Sequence, residues 1–108
     1  MDRFSEQLQQ HMEIVKQIGD RIEPGESYME DIRGYLPELN QMMTIIFQLI
    51  QTTDVLPELN QEYVVQVLND ILYGMENRDS VFLLDVFRYG LLEIYKYIQQ
   101  ELQSEGAR

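Results

Sequence analysis

The chain has 108 residues, 44% of them hydrophobic and 25% charged, which is an ordinary composition for one globular domain with a single core. Its 8 basic and 19 acidic side chains give a formal net charge of −11, which repels phosphate backbones and anionic lipid headgroups, so nucleic acid and membrane surfaces are excluded as expected partners. The chain has no cysteine, which excludes disulfide bonds, thiolate metal sites and thiol nucleophiles.

The first predicted element is an amphipathic helix over about residues 3–22. Its apolar positions recur at spacings of three and four residues, namely Phe4, Leu8, Met12, Val15, Ile18 and Ile22. Pro24 and Gly25 end it, because proline cannot continue the helical hydrogen bonds and glycine tolerates the turn. We interpret His11, which continues the apolar stripe, as a partly buried packing histidine; a pH-sensing contact is the alternative. The segment lacks the apolar core of a signal peptide, so we expect a cytoplasmic protein.

A second helix is predicted from about Ser27 to Thr53. Ser27 and Glu30 have the spacing of a capping box, in which each side chain bonds the backbone N–H of the other. Further along, Gly34 lowers helix propensity and Pro37 removes one backbone donor. We therefore expect the second helix to be split or kinked between Gly34 and Pro37.

The hexapeptide LPELNQ occurs twice, at residues 36–41 and 56–61. Proline is favoured in the first turn of a helix, where its missing N–H would have no partner, and the glutamate that follows it complements the helix dipole. The sequences after the two copies share no convincing identity, so a tandem repeat is not indicated. We predict that both copies start helices.

A third helix is predicted from about Pro57 to Met75, and a fourth from a cap at Asn77 or Asp79 to about Gln103. The third helix has one apolar row, Leu59, Tyr63, Val67, Ile71 and Met75, with Val64, Leu68 and Leu72 beside it. The apolar residues of the fourth fill an arc of about 180°, which suits packing against several neighbours. No alternating strand pattern occurs, so we predict a single all-α domain, an antiparallel four-helix bundle, with residues 105–108 as a disordered tail.

Residues 78–95, RDSVFLLDVFRYGLLEIY, belong to the fourth predicted helix. This segment resembles a C-terminal signature of small, acidic, helical bacterial proteins of unknown function, in which an aspartate opens a leucine-rich run that leads to another aspartate and a tyrosine. The positions that match are Asp79, Leu83, Asp85, Tyr89 and Leu91, and those that depart are Leu84, Arg88 and Gly90. The resemblance implies a bacterial helical protein and no particular activity.

The sequence shows no catalytic or cofactor-binding motif. One histidine cannot supply the paired Glu-x-x-His ligands of a di-iron bundle, and the six glycines are too scattered for a phosphate-binding loop. We therefore predict no enzymatic activity, no cofactor and no metal. The alternative is a metal-dependent hydrolase of the acidic, all-helical kind, drawing on Glu26, Glu30 and Asp31 with acids from another helix.

Surplus apolar surface on the last helix indicates protein binding instead. Phe82, Tyr89 and Leu92 lie off its main apolar arc, so packing within a four-helix bundle does not obviously need them. We predict a non-enzymatic interaction module of the adaptor or export-chaperone type, with these residues as candidate partner contacts. The partner is another protein or a second copy of the chain, which would form a homodimer. The alternative is that a loop or the first helix covers the three side chains.

Overall fold

The computed structural model describes residues 2–22, 28–52 and 56–106, and all regular structure within them is helical. Helices α1, α2 and α3 span Asp2–Ile22, Tyr28–Thr52 and Gln61–Glu76. The fourth helix has three parts, namely α4 (Ser80–Asp85), a π-helical turn (Val86–Leu91) and α5 (Leu92–Gly106). The predicted capping serine, Ser27, and residues 107 and 108 of the predicted tail lie outside the described residues. The all-α class is confirmed.

Consecutive helices pack in opposite directions and form a closed ring. Residue numbers rise along one helix as they fall along its neighbour, which shows that the helices are antiparallel. The pairs that face each other are His11–Tyr35 and Arg21–Asp31 for α1 and α2, Gln51–Gln61 for α2 and α3, Gly74–Leu83 and Val67–Gly90 for α3 and the fourth helix, and Gln9–Gln99 and Asp20–Arg88 for α1 and the fourth helix. The predicted antiparallel four-helix bundle is therefore confirmed. It measures 44 × 24 × 21 Å.

Helix α2 passes through Pro37 as one helix and is not split there. Pro37, Gly34 and Arg33 are all exposed. The carbonyl of Arg33, which would have accepted the N–H that proline lacks, is therefore on the solvent side, where water can bond it. The buried stripe with Tyr35 and Leu39 runs along the other side of the helix and keeps its packing.

The two copies of LPELNQ adopt different structures. The first, residues 36–41, lies inside α2, so the prediction that it starts a helix is wrong. In the second, residues 56–60 form a turn that ends in the N-cap of α3, where the Asn60 side chain accepts a hydrogen bond of 2.7 Å from the Tyr63 backbone N–H. Gln61 is already the first residue of α3. Helix α3 therefore starts at the end of the hexapeptide and not at its proline. Leu56, at the start of this copy, is buried and anchors the turn on the core.

The start and the middle of the fourth helix are each fixed by a particular backbone contact. The Asp79 side chain accepts a hydrogen bond of 3.1 Å from the Phe82 backbone N–H, which confirms one of the two predicted caps. In the π-helical turn, the Leu92 N–H bonds to the Phe87 carbonyl, five residues back instead of four. The wider turn changes the direction of every side chain that follows it.

One hydrophobic core runs through the bundle and includes side chains from all four helices. Each fully buried leucine or isoleucine contributes about 1.5–3 kcal/mol to stability through removal of its surface from water. The largest side chains that are almost completely buried are Leu8, Val15, Ile32, Leu39, Met42, Ile46, Ile71, Leu83, Phe87, Leu91, Tyr95 and Ile98.

Candidate interaction surface

Helix α3 exposes apolar side chains on the side that faces away from the core. Six large apolar side chains are exposed in the part of the chain that the structure describes, and four of them belong to α3. Leu72 is 54% exposed and Tyr73 is 58% exposed. The set that we call the α3 surface consists of Val65, Leu68, Leu72 and Tyr73, together with Phe82 of α4.

These residues are neighbours in space. Val65, Leu68 and Leu72 follow one another at spacings of three and four, which places them along one side of the helix. The rings of Tyr73 and Phe82 meet edge to face, with centroids 5.6 Å apart and planes at 80°. Phe82 therefore extends the α3 surface from α3 onto α4.

Gly74 allows this close approach of α3 and α4. A Cβ atom at this position would lie 2.6 Å from the Leu83 side chain and 3.2 Å from the Phe82 ring. Only a residue without a side chain fits there at this helix separation. The aromatic pair of Tyr73 and Phe82 lies next to this contact, so Gly74 determines where the pair sits.

The charged residues of helix α3 are all acidic. Glu62 and Glu76 are exposed at the two ends of α3 and lie on the same side as Val65 and Leu72. Helix α3 carries no lysine or arginine. The α3 surface is therefore an apolar strip with a negative charge at each end.

The three residues predicted as partner contacts lie in different environments. Phe82 is half-buried against Tyr73, Leu92 is only 8% exposed, and Tyr89 is 70% exposed. Tyr89 and Leu92 both line a cleft of about 230 Å³ between α1 and the fourth helix, and Phe82 does not. The structure therefore brings Tyr89 and Leu92 together and separates Phe82 from them.

The charges of this cleft largely compensate one another. An Arg88 guanidinium nitrogen lies 3.9 Å from a carboxylate oxygen of Asp20, and Lys96 Nζ lies 3.4 Å from a Glu93 oxygen. Lys16 adds a third cation to the lining. Two acids therefore face two bases across short distances, and Lys16 leaves the lining of the cleft with one cation more than it has acids.

A chain of hydrogen bonds joins three helices inside the core. His11 Nδ1 of α1 lies 2.6 Å from the Tyr35 hydroxyl oxygen of α2, which lies 2.8 Å from the Tyr95 hydroxyl oxygen of α5. Tyr35 is 2% exposed and Tyr95 is 0% exposed, whereas His11 is half-buried at the edge of the bundle. The imidazole packs against both tyrosine rings, at centroid distances of 5.4 and 5.9 Å. The predicted packing role of His11 is therefore confirmed.

Burial controls the ionisation of all three groups in this chain. It raises the pKa of Tyr35 and of Tyr95 far above the usual range, so both phenols stay neutral. Burial also lowers the pKa of His11, against the smaller opposing effect of the Glu38 carboxylate. At neutral pH the side chains of His11, Tyr35 and Tyr95 are therefore all uncharged.

Of the three acids of the alternative hydrolase, the structure describes Glu30 and Asp31, and neither belongs to a cluster of metal-ligating side chains among the described residues. Asp31 pairs with Arg21, with Oδ2 2.5 Å from Nε, and Glu30 is exposed. Glu26 lies outside the described residues. No group of three or more metal-ligating side chains occurs within residues 2–22, 28–52 and 56–106.

The structure defines the class of this protein as an all-α, antiparallel four-helix bundle. No family model matches the chain, and no match is found among curated proteins or solved structures. None of the helices described is long and apolar enough to cross a membrane. The function is therefore inferred from the surfaces of the bundle.

Proposed function

We propose that this chain is a non-enzymatic interaction module that binds a partner protein through the α3 surface. One observation carries the proposal: Leu72 and Tyr73 are 54% and 58% exposed on a helix whose other side supplies the core residues Val67 and Ile71. Apolar side chains grouped on one face of a domain in this way are a feature of binding sites. Of the three predicted contact residues, Phe82 belongs to the α3 surface. The other residues of this surface lie on α3 and are not among the predicted contacts.

The chemistry of the α3 surface favours an amphipathic helix as the partner. Val65, Leu68 and Leu72 form a ridge of the kind that packs against the apolar side of a second helix. Glu62 and Glu76, at the two ends, favour lysine or arginine at both ends of that partner helix. This arrangement agrees with an adaptor or export-chaperone type of protein, in which a helix of the client is held on the bundle.

The same charges disfavour a second copy of the chain as the occupant. A symmetric dimer through the α3 surface would bring Glu62 and Glu76 of one copy against the acids of the other. Like charges facing each other across an interface are destabilising. Light scattering is therefore expected to show a monomer at micromolar concentration. A dimer that dissociates on Leu72→Ser substitution would instead assign the α3 surface to self-association.

Binding of designed peptides tests the proposal directly. The probe is a fluorescent helical peptide with leucines at i, i+3 and i+7 and lysines at both ends, and a second peptide carries glutamates in place of the lysines. The lysine peptide is expected to bind, and the double variant Leu72→Ser/Tyr73→Ser should weaken binding at least about tenfold, or about 1.4 kcal/mol. The glutamate peptide should bind much more weakly.

Tyr89→Ser is the control, since Tyr89 is even more exposed than Leu72 and Tyr73 but lies at the cleft between α1 and the fourth helix. It should leave peptide binding unchanged, and circular dichroism should show that every variant keeps its helical content. Failure of the lysine peptide to bind, or loss of binding in the Tyr89 variant alone, would contradict the assignment to the α3 surface.

A further inference from the structure

The direction of the hydrogen bonds from Tyr95 to His11 follows from the number of donors and acceptors. The Tyr35 hydroxyl is the partner found for the Tyr95 hydroxyl among the described residues. A buried hydroxyl proton needs an acceptor, so Tyr95 donates to the Tyr35 oxygen, and Tyr35 donates to His11 Nδ1. Neutral His11 then carries its own proton on Nε2. In this state each phenolic proton has an acceptor.

Protonation of His11 reverses the hydrogen bond between His11 and Tyr35. An imidazolium ion has a proton on each ring nitrogen, so Nδ1 can only donate. Tyr35 must then accept from His11, while its own proton either turns toward the Tyr95 oxygen or has no acceptor. Three donors now share two contacts, so one phenolic proton, of Tyr35 or of Tyr95, is left without an acceptor in a side chain that is 2% or 0% exposed. A proton taken up at the edge of the bundle therefore leaves an unsatisfied donor in its centre, which is unfavourable.

The groups that face the imidazole come from two helices. Tyr35 and Glu38 approach it from α2, and Tyr95 approaches it from α5. The nearby contact between α1 and α5 is an uncharged pair, Gln9 and Gln99, at 2.9 Å. Among the described residues, Glu38 is the acidic group that favours the imidazolium ion here. Its effect is smaller than that of burial, which favours the neutral ring.

We propose that His11 is a proton-controlled latch, whose protonation weakens the attachment of α1 to α2 and α5. The latch operates at the place where these three helices meet. None of its residues belongs to the α3 surface, so it is independent of the proposed binding function. Acidification loosens α1 and leaves the packing of α3 on the fourth helix in place.

The chain contains a single histidine, so the ring nitrogens of His11 can be followed by NMR without ambiguity. At pH 7.5 the expected state is the Nε2–H tautomer, with Nδ1 as hydrogen-bond acceptor. A proton on Nδ1 at this pH would overturn the proposed direction of the hydrogen bonds. This test uses the parent protein and needs no variant.

Two conservative variants separate hydrogen-bond reversal from simple burial. Tyr35→Phe removes the hydroxyl that bonds to both His11 and Tyr95. Protonation of His11 then no longer deprives a phenolic proton of its acceptor, so the pKa of His11 should rise relative to the parent protein. If burial alone lowered this pKa, loss of a polar hydroxyl would leave it unchanged or lower it further. Tyr95→Phe is the control. In this variant, protonation of His11 would leave the Tyr35 hydroxyl proton without an acceptor, so the pKa of His11 should stay low. A Tyr95→Phe variant whose pKa rises as much as that of Tyr35→Phe would contradict the mechanism.

Hydrogen exchange measures the consequence for the helices. Amides of α1 should lose protection between pH 7.5 and pH 5, after correction for the intrinsic exchange rate, and those of α3 should not. The loss in α1 should be smaller in Tyr35→Phe. An equal loss of protection in all four helices would show general acid destabilisation and would overturn the latch.

Discussion

The hydroxyl oxygens of Tyr35 and Tyr95 lie 2.8 Å apart inside the core, although 60 residues separate the two tyrosines in the sequence. They belong to α2 and to the fourth helix, which sit diagonally across the bundle. Ridge packing alone leaves such diagonal helices free to shift relative to each other. A hydrogen bond between two buried hydroxyls fixes their relative position, because either group would be unsatisfied without the other.

Tyr35→Phe is expected to destabilise the protein by about 1–3 kcal/mol, since it removes two hydrogen bonds and leaves the Tyr95 hydroxyl buried without a partner. Tyr95→Phe removes one bond, and Tyr35 still donates to His11, so its cost should be about 1 kcal/mol or less. Urea unfolding of both variants measures the difference. Equal losses, or a larger loss for Tyr95→Phe, would contradict the assigned direction of the hydrogen bonds.

The stability of the protein should decrease as the pH falls below about 6.5, the ordinary pKa of histidine. The folded state lowers the pKa of His11, so the unfolded chain binds the proton more readily. The stabilising effect of neutral His11 is therefore complete above pH 6.5 and is lost as the pH falls toward the lowered pKa of the folded state. Urea midpoints between pH 7.5 and pH 5 report this loss.

The control for this prediction is His11→Asn, which keeps an acceptor near Nδ1 and does not titrate. Its unfolding midpoint should change less with pH over the same interval. An equal pH dependence in both proteins would assign the effect to carboxylates and not to His11.

Substitution of two glycines by alanine should have opposite effects. At Gly74 the new Cβ would lie 2.6 Å from Leu83, and overpacking of this kind costs about 1–3 kcal/mol. At Gly34, exposed within α2, nothing lies within 4 Å of the new Cβ, and replacing a helical glycine by alanine stabilises by about 0.5–1 kcal/mol. Thermal unfolding of the two variants gives the comparison. A Gly74→Ala variant as stable as the parent would show that α3 and α4 can move apart.

The alternative hydrolase predicts a metal effect that the proposed interaction module does not. A metal ion that binds only the folded state raises the unfolding temperature in a saturable manner. With Asp31 held by Arg21, we expect millimolar Mg²⁺ or Mn²⁺ to give the same unfolding temperature as NaCl of equal ionic strength. A saturable increase above that reference would support a metal site that includes Glu30 and acids outside the described residues.

The sequence was sufficient to predict the bundle because the signals for helices are local. The apolar stripe of the first helix placed its ends within one residue of Asp2–Ile22, and Asp79 was one of two predicted caps. Pro37 shows the limit of such signals: a proline on the solvent side of a helix removes a hydrogen bond that water can replace. The two copies of LPELNQ show the same limit, since one hexapeptide forms both a helix and a turn.

The candidate site was harder to predict because it depends on packing between helices. A helical wheel with uniform steps of 100° per residue places Leu92 off the apolar arc. The π-helical turn just before Leu92 changes the direction of its side chain, and Leu92 is buried. In α3, Tyr63 belongs to the predicted apolar row and Leu72 lies beside that row, yet both side chains are exposed. A tyrosine within a buried stripe, as at positions 35 and 95, is the signal that could have indicated the internal hydrogen-bond chain.

The most direct test of the proposed function is mapping of the peptide contact by NMR. Backbone amide spectra of the protein are recorded while the lysine-flanked helical peptide is added. Binding through the α3 surface predicts saturable shift changes that centre on Val65, Leu72, Tyr73 and Phe82, with little change around Tyr89. Changes centred on Tyr89 and Leu92, or no saturable change at millimolar peptide, would contradict the proposal.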